Sequence, residues 1–395
     1  MNCILFDDSS WNNLLPLTYT RPSCEIRIGI LKISEKWEKW LDAKASFLTQ
    51  DYLSCKYPVH VSSDNLLING SILPTKELVD LIKDLKSGQV LKKDDVLLAA
   101  RLTSDQVEDF KTKKLDRFEF KNTAIAFIKI DYPWHIFSFN GVALDDDFKL
   151  ITNGRISAPI SKTNQVRGAG NIFLEEGAIV ECAILNATAG PIYIGKDAEV
   201  MEGSVVRGAL AMCEHSSLKM GAKVYGATTI GPHCKIGGEV NNSVIFGYSS
   251  KAHDGFLGNS VLGEWCNLGA DTNNSNLKNN YAEVRIWNYV QERFVSTGLQ
   301  FCGLIMGDHS KSGINTMFNT GTVVGVSANI FGDGFPRNFI PSFSWGGAQG
   351  FAVYSLAKVF EVAELVMKRR DITINDCDKH IFKTVFDMTE KYRKF

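Results

Sequence analysis

A chain of 395 residues is long enough for two or three domains, and its 43 basic against 44 acidic side chains leave a net charge of −1. With that balance no basic patch announces nucleic acid, and no apolar run approaches the length of a membrane span. Nine cysteines without a CxxC pair suit free thiols in a reducing compartment better than a disulfide framework or a zinc ribbon.

In chain order, Met1 to Asp8 turns acidic at once and has no basic, apolar and cleavage regions in series. The expectation is therefore a cytoplasmic protein with neither nucleic-acid nor membrane partners. Cys3 to Phe6 reads as a buried strand, ended by Asp7-Asp8-Ser9-Ser10. Leu15 to Pro22 carries two prolines that forbid a continuous helix. Trp37, Trp40 and Leu41 share helical spacing. Leu66 to Ile68 reads as a strand, and Thr75 as the N-cap of a helix over 76–86. Val96 to Ala100 is another strand, Thr103 to Gln106 has capping-box spacing, and Ala124 to Ile130 is a further strand. Tyr132 to Leu144 reads as a connecting segment. Strands alternating with helices predict a small α/β domain over residues 1–150 with a largely parallel sheet.

From about Arg155 the texture changes. Every sixth residue from Ile194 is aliphatic: Ile194, Val200, Val206, Met212, Leu218, Val224, Ile230, Ile236. Every sixth from Ile192 is mostly small. Neither helix nor ordinary strand keeps phase at six, whereas a parallel β-helix of hexapeptides does, three flat faces closing each triangular coil. Such a domain is expected over 151–350. The phase breaks at 239–254 and again at 273–301, which predicts two loops leaving the coil. The second contains the alternating run Ala282 to Trp287, expected as an extended loop or hairpin. Helices over Leu356–Arg369 and Asp376–Lys391 complete the chain, in a segment 351–395 expected to cap the open prism.

The coil region, including Ser250-Lys251-Ala252-His253 and Leu257-Gly258-Asn259, resembles the acetyltransferase half of the bifunctional GlmU-type enzymes. Asn267-Leu268-Gly269-Ala270-Asp271-Thr272 is similar to their N-I-G-A-G-T segment, and Asn276 falls where another asparagine follows it. Leu15 to Pro22 is similar to the L-x-P-L-T-x-x-x-P segment of sugar-nucleotide pyrophosphorylases. The resemblance implies a left-handed β-helix, a homotrimer with active sites between subunits, and acetyl-CoA as co-substrate. It also implies a sugar phosphate or sugar nucleotide as the small-molecule partner, with Mg²⁺ in the N-terminal domain. The departures are equally specific. No glycine-rich phosphate loop follows the first strand, Ser23 stands where a lysine is usual, and Asn69-Gly70-Ser71 stands where a metal aspartate is expected. The N-terminal domain therefore reads as a reduced nucleotidyltransferase.

By this resemblance His253 matches the catalytic histidine, suited near neutral pH to take the proton of an amino sugar's ammonium. Lys251, Asn267 and Asn276 are assigned to the sugar substrate, Arg21 and Arg27 to a nucleotide phosphate, and Arg285 and Asn315 to CoA. Each has a plainer reading: a loop histidine, corner asparagines that tolerate αL geometry, surface charges, or a subunit contact. His215 and His233 are one coil apart and share a hexapeptide position with His309; a solvated ladder is the simpler account, a zinc site the sharper one. The leading expectation is an acetyl-CoA-dependent N-acetyltransferase of an amino-sugar 1-phosphate, its nucleotidyltransferase half weak, lost or retained. A zinc-dependent β-helix lyase or hydratase and a non-catalytic sugar-nucleotide sensor stand beside it.

Overall fold

The computed structural model describes residues 2–395. Two compact units emerge, one from residues up to 14, 21–26 and 31–131, the other from 15–20, 27–30 and 132–395.

The first unit is built on six strands: β1 (Asn2–Phe6), β2 (Ala45–Leu48), β3 (Asn65–Asn69), β4 (Gln89–Lys93), β5 (Val96–Leu102) and β6 (Glu119–Asn122). Their order is β2-β1-β3-β5-β4-β6. The sheet is largely parallel, as expected: five strands run the same way, and β5 alone is antiparallel to its neighbours β3 and β4. The cause is local: β4 and β5 are joined through Asp94 at φ 52°, a tight reversal that can only return the chain antiparallel. Helices α1 (Ser10–Asn13), α2 (Ile33–Leu41), α3 (Lys76–Lys83) and α4 (Ser104–Lys111) accompany it. Thr75 caps α3 by accepting from the Leu78 N–H, and Thr103 with Gln106 forms the expected capping box on α4. The strand expected at 124–130 is absent. That stretch makes one bridge, Lys129 to Ile72, while the preceding Glu119–Asn122 takes the parallel place beside β4. Apolar content alone does not make a strand where no partner edge is open.

The segment expected to be a connector holds two helices of the second unit, α5 (Pro133–Ser138) and α6 (Asn140–Thr152). Pro133 stands at the first position of α5, where a missing N–H leaves nothing unpaired. From Gln165 the chain winds into a parallel β-helix whose strands stack in three sheets. Ile194, Val200, Val206, Met212, Leu218, Val224, Ile230 and Ile236 all lie in one buried core. Burying each such side chain stabilises by roughly 1.5–3 kcal/mol.

Neighbouring coils are mostly eighteen residues apart, as Ile192 pairs with Leu210 and Leu210 with Thr228. The break at 239–254 is not a loop. Three strands, Glu239–Asn241, Val244–Ile245 and Ser250–Lys251, run through it in register. Thr229 pairs with Val244 and Lys235 with Ser250, so this coil is three residues short. Shortening happens in the turns, which shifts the sequence phase without interrupting the ladder. The second break is a true insertion: Val261 pairs with Ile305 across it, and the antiparallel hairpin Arg285–Asn288 with Arg293–Ser296 projects from it.

The last coil strand, Ser344–Gly347, is covered by its antiparallel neighbour Gly350–Val353, which takes up the open edge. Helices α7 (Leu356–Lys368) and α8 (Asp376–Met388) therefore do not cap the end. They lie along one corner of the coil: Arg370 donates to the His233 carbonyl at 3.3 Å, Phe382 meets His309, and Phe386 meets Phe343. Among the described residues no helix is long and apolar enough to cross a membrane.

Candidate functional sites

One corner of the coil brings together Lys251, His253 and Asn315, with Asn267 on the face leading to it. Lys251 stands in register with Ile236, a core position, and is only 2% exposed. Its ammonium is thus inside the prism, where it donates to the His253 carbonyl at 2.6 Å. Burial pulls its pKa down to about 8, against the opposing pull of Asp254 and Asp271. The next coils place Thr272 and Ser312 near the same inner corner, their hydroxyls 3.0 Å apart, so the apolar column turns polar here.

Two residues on from Lys251, His253 projects outward and is exposed, beside Asp254. The backbone of this corner leaves no slack. A Cβ on Gly237 would collide with the Ala252 carbonyl, and one on Gly255, at φ 114°, with the Thr272 carbonyl. Asn273 accepts from the Phe256 N–H at 2.8 Å and donates to the Asp271 carbonyl at 2.9 Å. The Asp271 N–H donates to the Asp254 carbonyl, and Asn315 N–H to that of Ala270. His253 and Asn315 therefore share one edge of the coil, with Asp271 between them. Asn267 pairs with Ser250 and Lys311 on the face leading to that edge.

The remaining assigned residues lie elsewhere. Asn276 sits at the following corner, where it donates to the Asn259 carbonyl oxygen of its side chain at 2.9 Å. Arg285 is on the hairpin and donates to the Phe294 carbonyl across it at 2.6 Å. Arg21 and Arg27 fall in different units. Arg27 is buried, donating to the Ile30 carbonyl and to Cys213 Sγ.

The histidine ladder runs along a different corner, and it is not made of histidines alone. Rings of His215, His233, Tyr248, Trp265 and His309 stack in sequence, with neighbouring centroids 4.2–6.0 Å apart. All five residues have positive φ, between 55° and 63°, so the corner geometry repeats and lays each ring on the next. Tyr248 and Trp265 separate His309 from the other two, which suits a stacked spine. Burial, with smaller contributions from His215 and Arg370, lowers the His233 pKa.

In the first unit a second polar cluster sits at the carboxyl ends of the parallel pair β1 and β3. Asp7 accepts from the Ser23 N–H at 2.8 Å and from the Thr49 hydroxyl, and burial pushes its pKa up to about 6. Burial would push the neighbouring Asp8 up as well, but Lys129, Asn69 and Ser10 outweigh it and hold that carboxyl below its ordinary range. Lys129 Nζ lies 3.1 Å from Asp8 Oδ2 and also contacts Asp131 and the Ser10 hydroxyl. The sequence marks Asp8 only as part of a strand's end and Asn69 only as a departure from a pattern. Lys129 and Asp131 went unnoticed, although their i, i+2 spacing puts both on one side of an extended chain.

These residues do not fit the Mg²⁺ that the resemblance implies. The ion needs carboxylate oxygens free for octahedral coordination, and here the facing oxygens of Asp8 and Asp131 already accept from an ammonium, an amide and a hydroxyl. Among the described residues no group of three or more His, Cys, Asp or Glu side chains is placed to hold a metal ion.

Residues 3–156 match the family model described as sugar nucleotidyl transferase. No curated protein matches the chain significantly. Among solved structures, the chain is similar to LpxA, a UDP-N-acetylglucosamine acyltransferase from Bacteroides fragilis 9343. The identity is 14% and the TM-score 0.26, over 60% of this chain and 84% of that one.

Proposed function

We propose that the protein is a transferase of sugar-nucleotide metabolism whose β-helix N-acetylates an amino-sugar 1-phosphate from acetyl-CoA. The observation that carries this reading is the His253 corner: an exposed imidazole on a backbone clamped by glycine contacts, with its own carbonyl tied to a buried lysine. An exposed base on a rigid support is what removal of an ammonium proton requires. His253 takes that proton, the freed amine attacks the thioester carbonyl, and CoA leaves as the thiol. Asn267 and Asn315, near the same edge, are assigned to sugar and CoA respectively; Asn276 and Arg285 would reach the reaction only from a neighbouring subunit. The family match over residues 3–156 supports a sugar nucleotide or sugar phosphate as the ligand class.

Incubation of the protein with acetyl-CoA and a panel of amino-sugar 1-phosphates tests this directly. Thiol release with one member of the panel, at a rate typical of enzymes (roughly 1–10³ per second), is the expected result; none with any member sinks the reading. A second reading, retained nucleotidyl transfer, is favoured by the same family match. With Ser23 for lysine and a donor amide at Asn69, pyrophosphate release from UTP and an N-acetylamino-sugar 1-phosphate is expected to be weak or absent. Turnover at enzymatic rates would restore it and make Arg21 the first candidate for the triphosphate.

Exposed apolar side chains on the coil, among them Ile179, Val205, Met220 and Ile314, would be covered in a cyclic homotrimer. Light scattering should return three times the chain mass; a stable monomer at micromolar concentration argues against shared active sites.

A further inference from the structure

The polar cluster at the ends of β1 and β3 carries an inference of its own. Each oxygen turned toward its centre is already engaged. Asp8 Oδ1 accepts the Ser10 N–H at 2.9 Å, and Asp8 Oδ2 accepts Asn69 Nδ2 at 2.9 Å with Lys129 at 3.1 Å. Asp131 Oδ1 accepts the Ser10 hydroxyl at 2.7 Å and contacts Lys129. Asn69 is held with its amide donor toward Asp8, because its carbonyl oxygen accepts from the Ser71 N–H at 3.0 Å and hydroxyl at 2.7 Å. A residue at the end of the central strand that would have to accept a metal thus presents an N–H instead. The Lys129 side chain is only 10% exposed, so its charge is matched inside the cluster and little screened by water.

We infer that Lys129 is a built-in cation, taking between Asp8 and Asp131 the place that a divalent ion would otherwise hold, so that the N-terminal domain is indifferent to divalent metal. An ammonium neutralises one of the two carboxylates and offers three donors, but no ligand positions for phosphate oxygens and no Lewis acidity. A domain of this kind keeps its cluster folded at any metal concentration. It lacks the ion that would bridge a nucleoside triphosphate to the carboxylates. The inference concerns binding alone and stands whether or not acetyl transfer is found.

The full-length chain, titrated with Mn²⁺ alone, provides the test. The free-ion electron paramagnetic resonance signal and the thermal midpoint report binding. Wild-type protein should leave the free Mn²⁺ signal undiminished and its Tm unmoved at millimolar metal. Lys129→Met frees two facing carboxylates and should gain a Mn²⁺ site, seen as loss of free signal and a Tm that climbs with log metal concentration. Adding Asp8→Asn to that variant should abolish the gain. Stoichiometric Mn²⁺ binding by wild type that Asp8→Asn removes would overturn the inference, as would a folded Lys129→Met that ignores the metal. Should Lys129→Met not fold, Lys129→Arg keeps a cation at the place and must fold and stay indifferent to Mn²⁺; binding by that variant overturns the inference equally.

Discussion

His253→Ala is expected to lower kcat for acetyl transfer by 10²–10⁴-fold, about 3–5.5 kcal/mol of barrier. The side chain is exposed on a corner whose geometry is set by backbone contacts of Gly237, Gly255 and Asn273. Its removal should therefore change folding stability by no more than about 0.5 kcal/mol. The parallel changes His215→Ala and His233→Ala separate chemistry from architecture. Both belong to the stacked spine on another corner, so turnover should hold while stability drops. His233 stacks on two rings, and each aromatic contact is worth about 0.5–1.5 kcal/mol. Steady-state kinetics and urea titrations on the three variants decide the matter. An active His253→Ala protein would move the chemistry elsewhere on the coil, and a dead but stable His233→Ala protein would move it to the spine.

Lys251→Met should make the protein more stable and less active at once. A lysine whose folded pKa is about 8, against an ordinary value of 10.5, costs about 3 kcal/mol at pH 7, where it is charged in both states. Methionine fills a similar volume without the charge. Loss of the hydrogen bond to the His253 carbonyl offsets about 1 kcal/mol, leaving a net gain of about 2 kcal/mol. The sign with pH follows from proton counting. Between pH 8 and 10.5 the unfolded chain holds a proton on this lysine that the folded chain has lost, so this group's contribution to wild-type stability rises across that window. Below pH 8 and above pH 10.5 the contribution is level. Other groups titrate in the same range, so the difference between wild type and variant is the quantity to measure, by denaturant unfolding at a series of pH values. It should shrink from pH 8 upward; parallel curves would show that Lys251 is not buried as a cation. Activity should fall because the His253 backbone loses its inner tie, and kcat rather than KM should carry the change.

Lys251 also shows where sequence reading stops. Its place in a motif drew attention to it as a surface contact for substrate, and only the register with Ile236 reveals that it points inward. The phase had been lost just there, because a coil three residues short cannot be told from a loop by counting in sixes. The insertion at 273–301 was recognisable since its alternating residues have a strand period of their own. In the first unit Thr75 and Thr103 announce their helices through local capping chemistry, whereas β6 depends on which sheet edge is open.

Periodicity by itself determined the coil, its buried aliphatic column and its terminal helices, because a six-residue repeat has one economical solution when every face must bury one side chain per strand. Capping and proline rules determined local starts and stops for the same reason: they act over four residues or fewer. Tertiary structure alone decided the rest. It placed Tyr248 and Trp265 between the histidines, assigned Arg21 and Arg27 to different units, and gathered Asp8, Asn69, Lys129 and Asp131 from segments 61 and 121 residues apart. Contacts of that separation depend on how strands order in a sheet and how coils stack, and no short-range pattern in the chain encodes either.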